Sequence, residues 1–318
     1  MPEESVIPLL YLNFAEMDLV CTDEKMYSFL RQQYGSRRYL SQVAESSLLK
    51  RLDGLVAHLM TVTFTGYREL LVKSGKQEFA FIDLLTELSL RGINAMPQLE
   101  KSVRRFDDLK GITNAVDLFE KSRALAGEKC LFKFTKLDFV DDLRHGRIRF
   151  TLASSYKRSG YNVAIRDDEL NIQHQLLNLR VTFADGSEAP IRNGVFDRNA
   201  CGDYYVSCFS VAVDLKLFHL FDADACFIIR NGDRFVQEVR RAYREQYEGS
   251  RILFGSVDYV DPYRELKTNK PIQFLKTDDF AYEKEFRFVA FDENPQKEEV
   301  RPLSIDMSRI RWDLVINE

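Results

Sequence analysis

The feature that most constrains this fold is a change of period part-way along the chain. Before about residue 125, apolar residues recur every three or four positions. After Gly127 they alternate in short runs. The first pattern is one face of a helix, and the second is one face of a strand. Leu48, Leu49, Leu52, Leu55, Val56 and Leu59 make a helical stripe. Phe81, Leu84, Leu85 and Leu88 make a second, with Gly92 placed to stop it. Pro97 precedes a third stretch around Leu99–Leu109, and Ile112, Val116 and Phe119 predict a short fourth. Residues 6–20 are apolar but interrupted by Pro8, which suits a starting strand or a segment docked on the helices.

Beyond Gly127 the expected strands are Cys130–Phe134, Arg147–Leu152, Leu179–Phe183, Tyr204–Val211, Ala225–Ile229 and Ile252–Val260, with a closing segment at Leu303–Ile310. Asp185-Gly186 is a hairpin signal, and Asp261-Pro262 marks a turn. Asp138–Arg144 reads as a short helix. Phe235, Val236, Val239 and Tyr243 share one face of a longer helix after Asn231-Gly232. Many strands with few intervening helices predict an α+β chain. A helical domain over residues 1–125 precedes a mixed sheet domain over residues 126–318.

Several chemistries lack their signatures. Formal net charge is −4 and neither half is basic, which disfavours non-specific binding to duplex nucleic acid. The 5 cysteines are scattered, with no C-x-x-C, as expected of a reducing cytoplasm. No secretory leader and no membrane-length apolar run are visible, so no membrane partner is expected. There is no P-loop, no G-x-G-x-x-G after a strand and no G-x-S-x-G. The 4 histidines form no ligand spacing, so no metal is expected. A Cys208–His219 nucleophile pair stays open, although Cys208 lies in an apolar run that suits an inert thiol.

The run Y-E-K-E-F-R at Tyr282–Arg287 carries the densest chemistry. Read as a strand, it sets Glu283, Glu285 and Arg287 on one face, either addressing one small ligand or facing water. Taken with L-F-K-F at Leu131–Phe134, H-G-R-I-R-F-T at His145–Thr151 and V-S-C-F-S at Val206–Ser210, its order and spacing resemble a bacterial domain family of unknown function. That family is associated with the ADP-ribosyltransferase fold. The resemblance covers roughly residues 130–295. It implies a mainly antiparallel sheet and NAD as substrate, with no metal.

By the same resemblance, Glu285 is the catalytic carboxylate that holds the ribose, with Glu283 oriented to the nucleophile. Lys133 and Phe134 stand at the first strand, where relatives usually carry Arg or His. Ser210 and Ser207 stand at the second. R-D-D-E at Arg166–Glu169 matches the place of an acidic motif. Cleaving the nicotinamide–ribose bond develops oxocarbenium character, and a carboxylate on the 2′-hydroxyl stabilises it. Arg287 pairs with a carboxylate or the pyrophosphate. Tyr156 and Arg166 join the expected NAD site, and Lys157, Arg158 and Tyr161 are expected target contacts. Arg240, Arg241 and Arg244 are a second candidate contact, or a solvated helix face.

The implied function is an ADP-ribosyltransferase acting on a macromolecular acceptor, single-stranded nucleic acid or protein. Toxin and phage-defence roles fit, with an antitoxin protein as partner and the helical domain as docking unit. An NAD glycohydrolase and a non-catalytic interaction protein on the same fold are the alternatives.

Overall fold

The computed structural model describes residues 10–13, 18–21, 23–62, 68–72, 76–106, 129–157, 168–264, 268–292 and 299–316. The helix expected around Ile112, Val116 and Phe119 lies outside the described residues.

In the first half, α1 (Glu24–Arg37), α2 (Glu45–Leu59), α3 (Lys76–Leu90) and α4 (Met96–Arg104) are helical. Leu48, Leu52, Leu55 and Val56 of α2 share a solvent-free core with Phe81, Leu84 and Leu88 of α3. Pro97 sits in the first turn of α4, where its missing N–H costs nothing. The helices are joined by a small antiparallel sheet of order β2-β1-β4-β3, from β1 (Leu10–Asn13), β2 (Asp18–Cys21), β3 (Met60–Val62) and β4 (Arg68–Val72). The first half is therefore mixed rather than purely helical. β3 begins where α2 ends, and three residues are too few to display a period of two.

The second half is built on an 8-stranded sheet whose main path is β11-β14-β9-β5-β10-β16. These strands are β5 (Leu131–Thr135), β9 (Tyr205–Ser210), β10 (Ala225–Ile229), β11 (Arg251–Ser256), β14 (Glu285–Phe291) and β16 (Trp312–Ile316). All neighbours along it are antiparallel. β6 (Arg147–Leu152) pairs with both β9 and β15 (Val300–Ser304). The expected hairpin is present as β7 (Asn171–Thr182) and β8 (Glu188–Asn199), and Gly186 adopts φ +82° in its turn. A short parallel pair, β12 (Asp258–Val260) with β13 (Leu275–Thr277), stands apart.

Short α5 (Val140–Arg144) and α6 (Lys216–Leu220) flank the sheet. The longer α7 (Gly232–Gln246) lays Phe235, Val236, Val239 and Tyr243 in one core with Phe209, Phe227 and Phe288. Asn231 caps it, its side chain accepting from the Arg234 N–H.

Two details of the strand pairing open the sheet. β5 meets β9 at a single position, Phe132 opposite Ser210, while β6 meets β9 at Thr151–Val206 and Leu152–Tyr205. Between these contacts the sheet splits, leaving the Ser207–Phe209 edge of β9 open. The two halves of the chain also share a core. Leu217, Leu220 and Tyr282 pack into the cluster made by α2 and α3. Lys216 donates to the carbonyls of His58 (3.0 Å) and Met60 (2.8 Å), capping the C-terminus of α2. No helix among the described residues is long and apolar enough to cross a membrane.

Candidate active site at the split of the sheet

A cavity of about 370 Å³ occupies the split. β5 and the residue after it line the cavity with Phe132–Lys136, β6 with Arg147–Arg149, and β9 with Val206–Ser210. Tyr156, Glu169, Lys276, Glu283 and Glu285 also reach it. The volume is at the small end for ligand pockets.

Glu285 reaches this cavity by a different route from the one its pattern suggests. Asp278–Glu283 is a 3-10 turn, Lys284 takes a left-handed conformation (φ 45°), and β14 starts only at Glu285. Tyr282, Glu283 and Lys284 are thus not strand residues, which corrects the reading of Y-E-K-E-F-R as one strand. Glu283 and Glu285 converge through a turn instead of a pleat. Ser210 explains the break. Its hydroxyl lies 2.7 Å from the Glu283 carbonyl and 2.8 Å from that of Ala212, and it accepts from the Ala212 N–H. Ser210 therefore ties two chain segments together at the wall of the cavity. Ser207, also buried, has a hydroxyl without a partner and is the better candidate for a ligand contact.

The charged side chains are buried, which excludes the solvated-face alternative for this motif. Arg287 is fully buried, and Glu169, Glu283 and Glu285 nearly so. The Arg287 guanidinium forks onto Glu285 at 2.8 and 3.1 Å and onto Glu169 at 2.7 and 2.9 Å, and donates to the Gln273 carbonyl. Lys276 lies 2.8 Å from Glu283, 3.6 Å from Glu285 and 3.8 Å from Glu169. Arg287 thus orients Glu285 and has no free donor fork for a pyrophosphate.

Burial opposes the charge on Glu285, but Arg287 and Lys276 outweigh it and hold the carboxyl well below the usual range. Glu283 goes the other way. Burial, reinforced by the charge on Glu285, pushes it up against the pull of Lys276. The two carboxyls are thus pushed in opposite directions, as at acid–base sites.

Lys133 extends across the split. Its ammonium donates to the Cys208 carbonyl at 2.6 Å on the open edge of β9 and lies 5.1 Å from the centre of the Phe209 ring. Burial pulls its pKa down. Phe134 packs edge-on to Phe218 and lines the cavity. At the mouth, the Arg149 guanidinium covers the Phe139 ring at 4.2 Å.

The Cys208 thiol is pushed up by burial and by Glu285, and His219 does not line the cavity, so the cysteine–histidine alternative loses its geometry. Among the described residues, no cluster of three or more potential ligands could hold a metal ion.

Other expected contacts are placed elsewhere. Lys157 is paired at the surface with Asp168 at 2.8 Å and does not line the cavity. Arg158, Tyr161 and Arg166 lie outside the described residues. Arg241 is spanned by Glu238 and Glu245 on α7, as on a solvated helix face.

Sequence reasoning singled out Lys133, Glu283 and Glu285 but gave Glu169 no role and passed over Lys276. R-D-D-E was visible. Nothing in the three-residue strand Leu275–Thr277 marks Lys276. Comparison with protein-family models, curated proteins and solved structures finds no match for this chain.

Proposed function

We propose that this protein cleaves the nicotinamide–ribose bond of NAD and transfers ADP-ribose to a macromolecular acceptor. The observation that carries the reading is convergence. Stretches far apart in sequence, holding Lys133, Ser207 and Glu285, meet at one split in the sheet around one cavity. Glu285, kept ionised by Arg287 and Lys276, takes the ribose 2′-hydroxyl and stabilises the oxocarbenium charge. Ser207 and Lys133 contact the sugar. Phe134 and Tyr156 supply apolar wall, and Arg149 over Phe139 receives a phosphate at the mouth. Glu283 faces the acceptor and, once ionised, takes the proton of its nucleophile. Toxin or phage-defence activity, restrained by an antitoxin protein on the helical half, is the biological setting this chemistry suits.

A second reading, NAD glycohydrolase, has its own support. Around the mouth, Lys136 is paired with Asp222 and Arg147 with Asp142. Cations neutralised in this way do not favour a polyanionic acceptor, which leaves a protein side chain or water.

The deciding experiment incubates the protein with NAD labelled in the adenylate part and separated pools of RNA, DNA and protein. Label retained on one pool is the expected outcome, and free ADP-ribose alone selects the glycohydrolase. Glu285→Gln is expected to lower turnover at least ~100-fold. Undiminished turnover in that variant would remove the assignment.

A further inference from the structure

Among the described residues, the buried cluster contains three carboxyls, Glu169, Glu283 and Glu285, and two cations, Lys276 and Arg287. Arg287 engages both oxygens of Glu169 and of Glu285. Glu283 has one oxygen on Lys276, while its Oε1 is buried in a residue that lines the cavity, faces no donor and has the Glu285 carboxylate as a neighbour. An ionised carboxylate left so would be costly, whereas a carboxylic acid can present its O–H to a ligand.

Nicotinamide leaves NAD as a neutral molecule and needs no proton. An alcohol or amide leaving a ribose does need one, or it departs as a poor, charged leaving group. The resting site is therefore prepared for the reverse direction of transfer as much as for the forward one.

Resting on the NAD reading above, we infer that this site also removes ADP-ribose from neutral O- or N-glycosidic adducts, with Glu283 as general acid. The bond from the anomeric carbon to the leaving oxygen or nitrogen breaks, and that atom takes the proton of Glu283. Glu285 stabilises the ribosyl cation. Water then bonds to the anomeric carbon and returns a proton to Glu283, so that glycoside plus water gives ADP-ribose plus the free acceptor. Neither metal nor oxidant is consumed.

The test uses the full chain and three probes: NAD, the methyl glycoside of ADP-ribose and its para-nitrophenyl glycoside, the glycosides as both anomers. Methanol requires protonation to leave, and para-nitrophenol does not. Wild type is expected to cleave all three. Glu283→Gln is expected to lose at least ~100-fold more on the methyl glycoside than on the nitrophenyl glycoside. The methyl reaction alone should slow as pH rises through the ionisation of Glu283. A merely structural role would depress both glycosides equally and leave the two pH profiles alike. Cleavage of NAD with no cleavage of the methyl glycoside overturns the inference and leaves the NAD reading standing, as does an equal loss on both glycosides. Failure to cleave any probe overturns both. Glu283→Gln preserves the neutral shape of the acid, and its unfolding midpoint, measured alongside, confirms that it is folded.

Discussion

Two buried ion clusters sit on either side of the turn Asp278–Glu283, and they use charge differently. At the seam between the halves, one nitrogen of Arg51 from α2 reaches Asp261 at 3.0 Å and Asp278 at 3.1 Å, and the Tyr263 ring covers the guanidinium at 5.1 Å. At the split, Arg287 and Lys276 hold Glu169, Glu283 and Glu285. None of the three seam charges lines the cavity, whereas Lys276, Glu169, Glu283 and Glu285 all do. Burial of charge alone is weak evidence of function, because ion pairs inside proteins also serve as structural fasteners. Among the described residues of the two clusters, only Glu283 at the split combines a buried carboxyl oxygen that faces no donor with a place in the cavity wall.

The largest expected effect is at the split. Arg287→Leu strands two carboxylates in a dry interior and should cost about 3–5 kcal/mol, read as a lower urea midpoint. Replacing Glu169 and Glu285 by Leu in the same chain should recover much of that stability without recovering NAD cleavage. If the triple variant stays as unstable as the single one, the cluster is a fastener and the contrast with the seam collapses.

At the seam the expected effect is smaller and mainly steric. A Cβ on Gly54 would meet the Cβ of Asp279 at 2.6 Å and its Cα at 2.8 Å, because α2 crosses directly over the turn. Gly54→Ala should cost about 1–3 kcal/mol. Since that turn ends at Glu283, the variant should also disturb turnover. Full turnover in a destabilised Gly54→Ala would show that the seam and the split are mechanically independent.

Groups at the split and at the end of α2 also respond to pH in different windows. The folded-state pKa of Glu283 lies above its unfolded value, so its contribution to stability is present in acid and lost as pH rises through the folded value. Glu283→Gln, neutral throughout, should therefore melt a few degrees above wild type at about pH 8 and gain nothing at about pH 3.5. Glu285 has the opposite sign, its stabilisation being lost as pH falls below about 4.3. At the end of α2, burial and the Lys216 charge lower His58 to about 4. Stability there should be lost as pH falls from about 6.5 toward that value. Differential melting of the three single variants across pH separates these contributions.

Much of the fold was legible in the residues, and the exceptions have physical causes. The stripes of α2, α3 and α7, the β7–β8 hairpin and strands β5, β6, β9 and β10 follow from period and turn chemistry. β3 and β13, of three residues each, are too short to carry a period, and β13 brings Lys276, so part of the site was invisible. Glu283 and Glu285 were legible as residue types, but their geometry was not. A two-residue spacing reads as a strand, and only the distant Ser210 hydroxyl reveals the turn that breaks it. Both serines of V-S-C-F-S pair with β14, and only the bonds of the Ser210 hydroxyl to the Glu283 and Ala212 carbonyls decide which one is tied down.

The smallest effect tests the edge of the site, where two adjacent carboxylates part company. Asp168 turns outward to Lys157, both about half exposed, while Glu169 turns inward to Arg287. Exposed pairs contribute little, so Lys157→Ala should change stability by less than about 0.5 kcal/mol. It should also leave NAD cleavage and acceptor labelling within a factor of about two, because the lysine is held by Asp168 and does not line the cavity. A tenfold loss of acceptor labelling at unchanged NAD cleavage would restore Lys157 as a target contact. It would also extend the functional surface from the split onto the outer face of this loop.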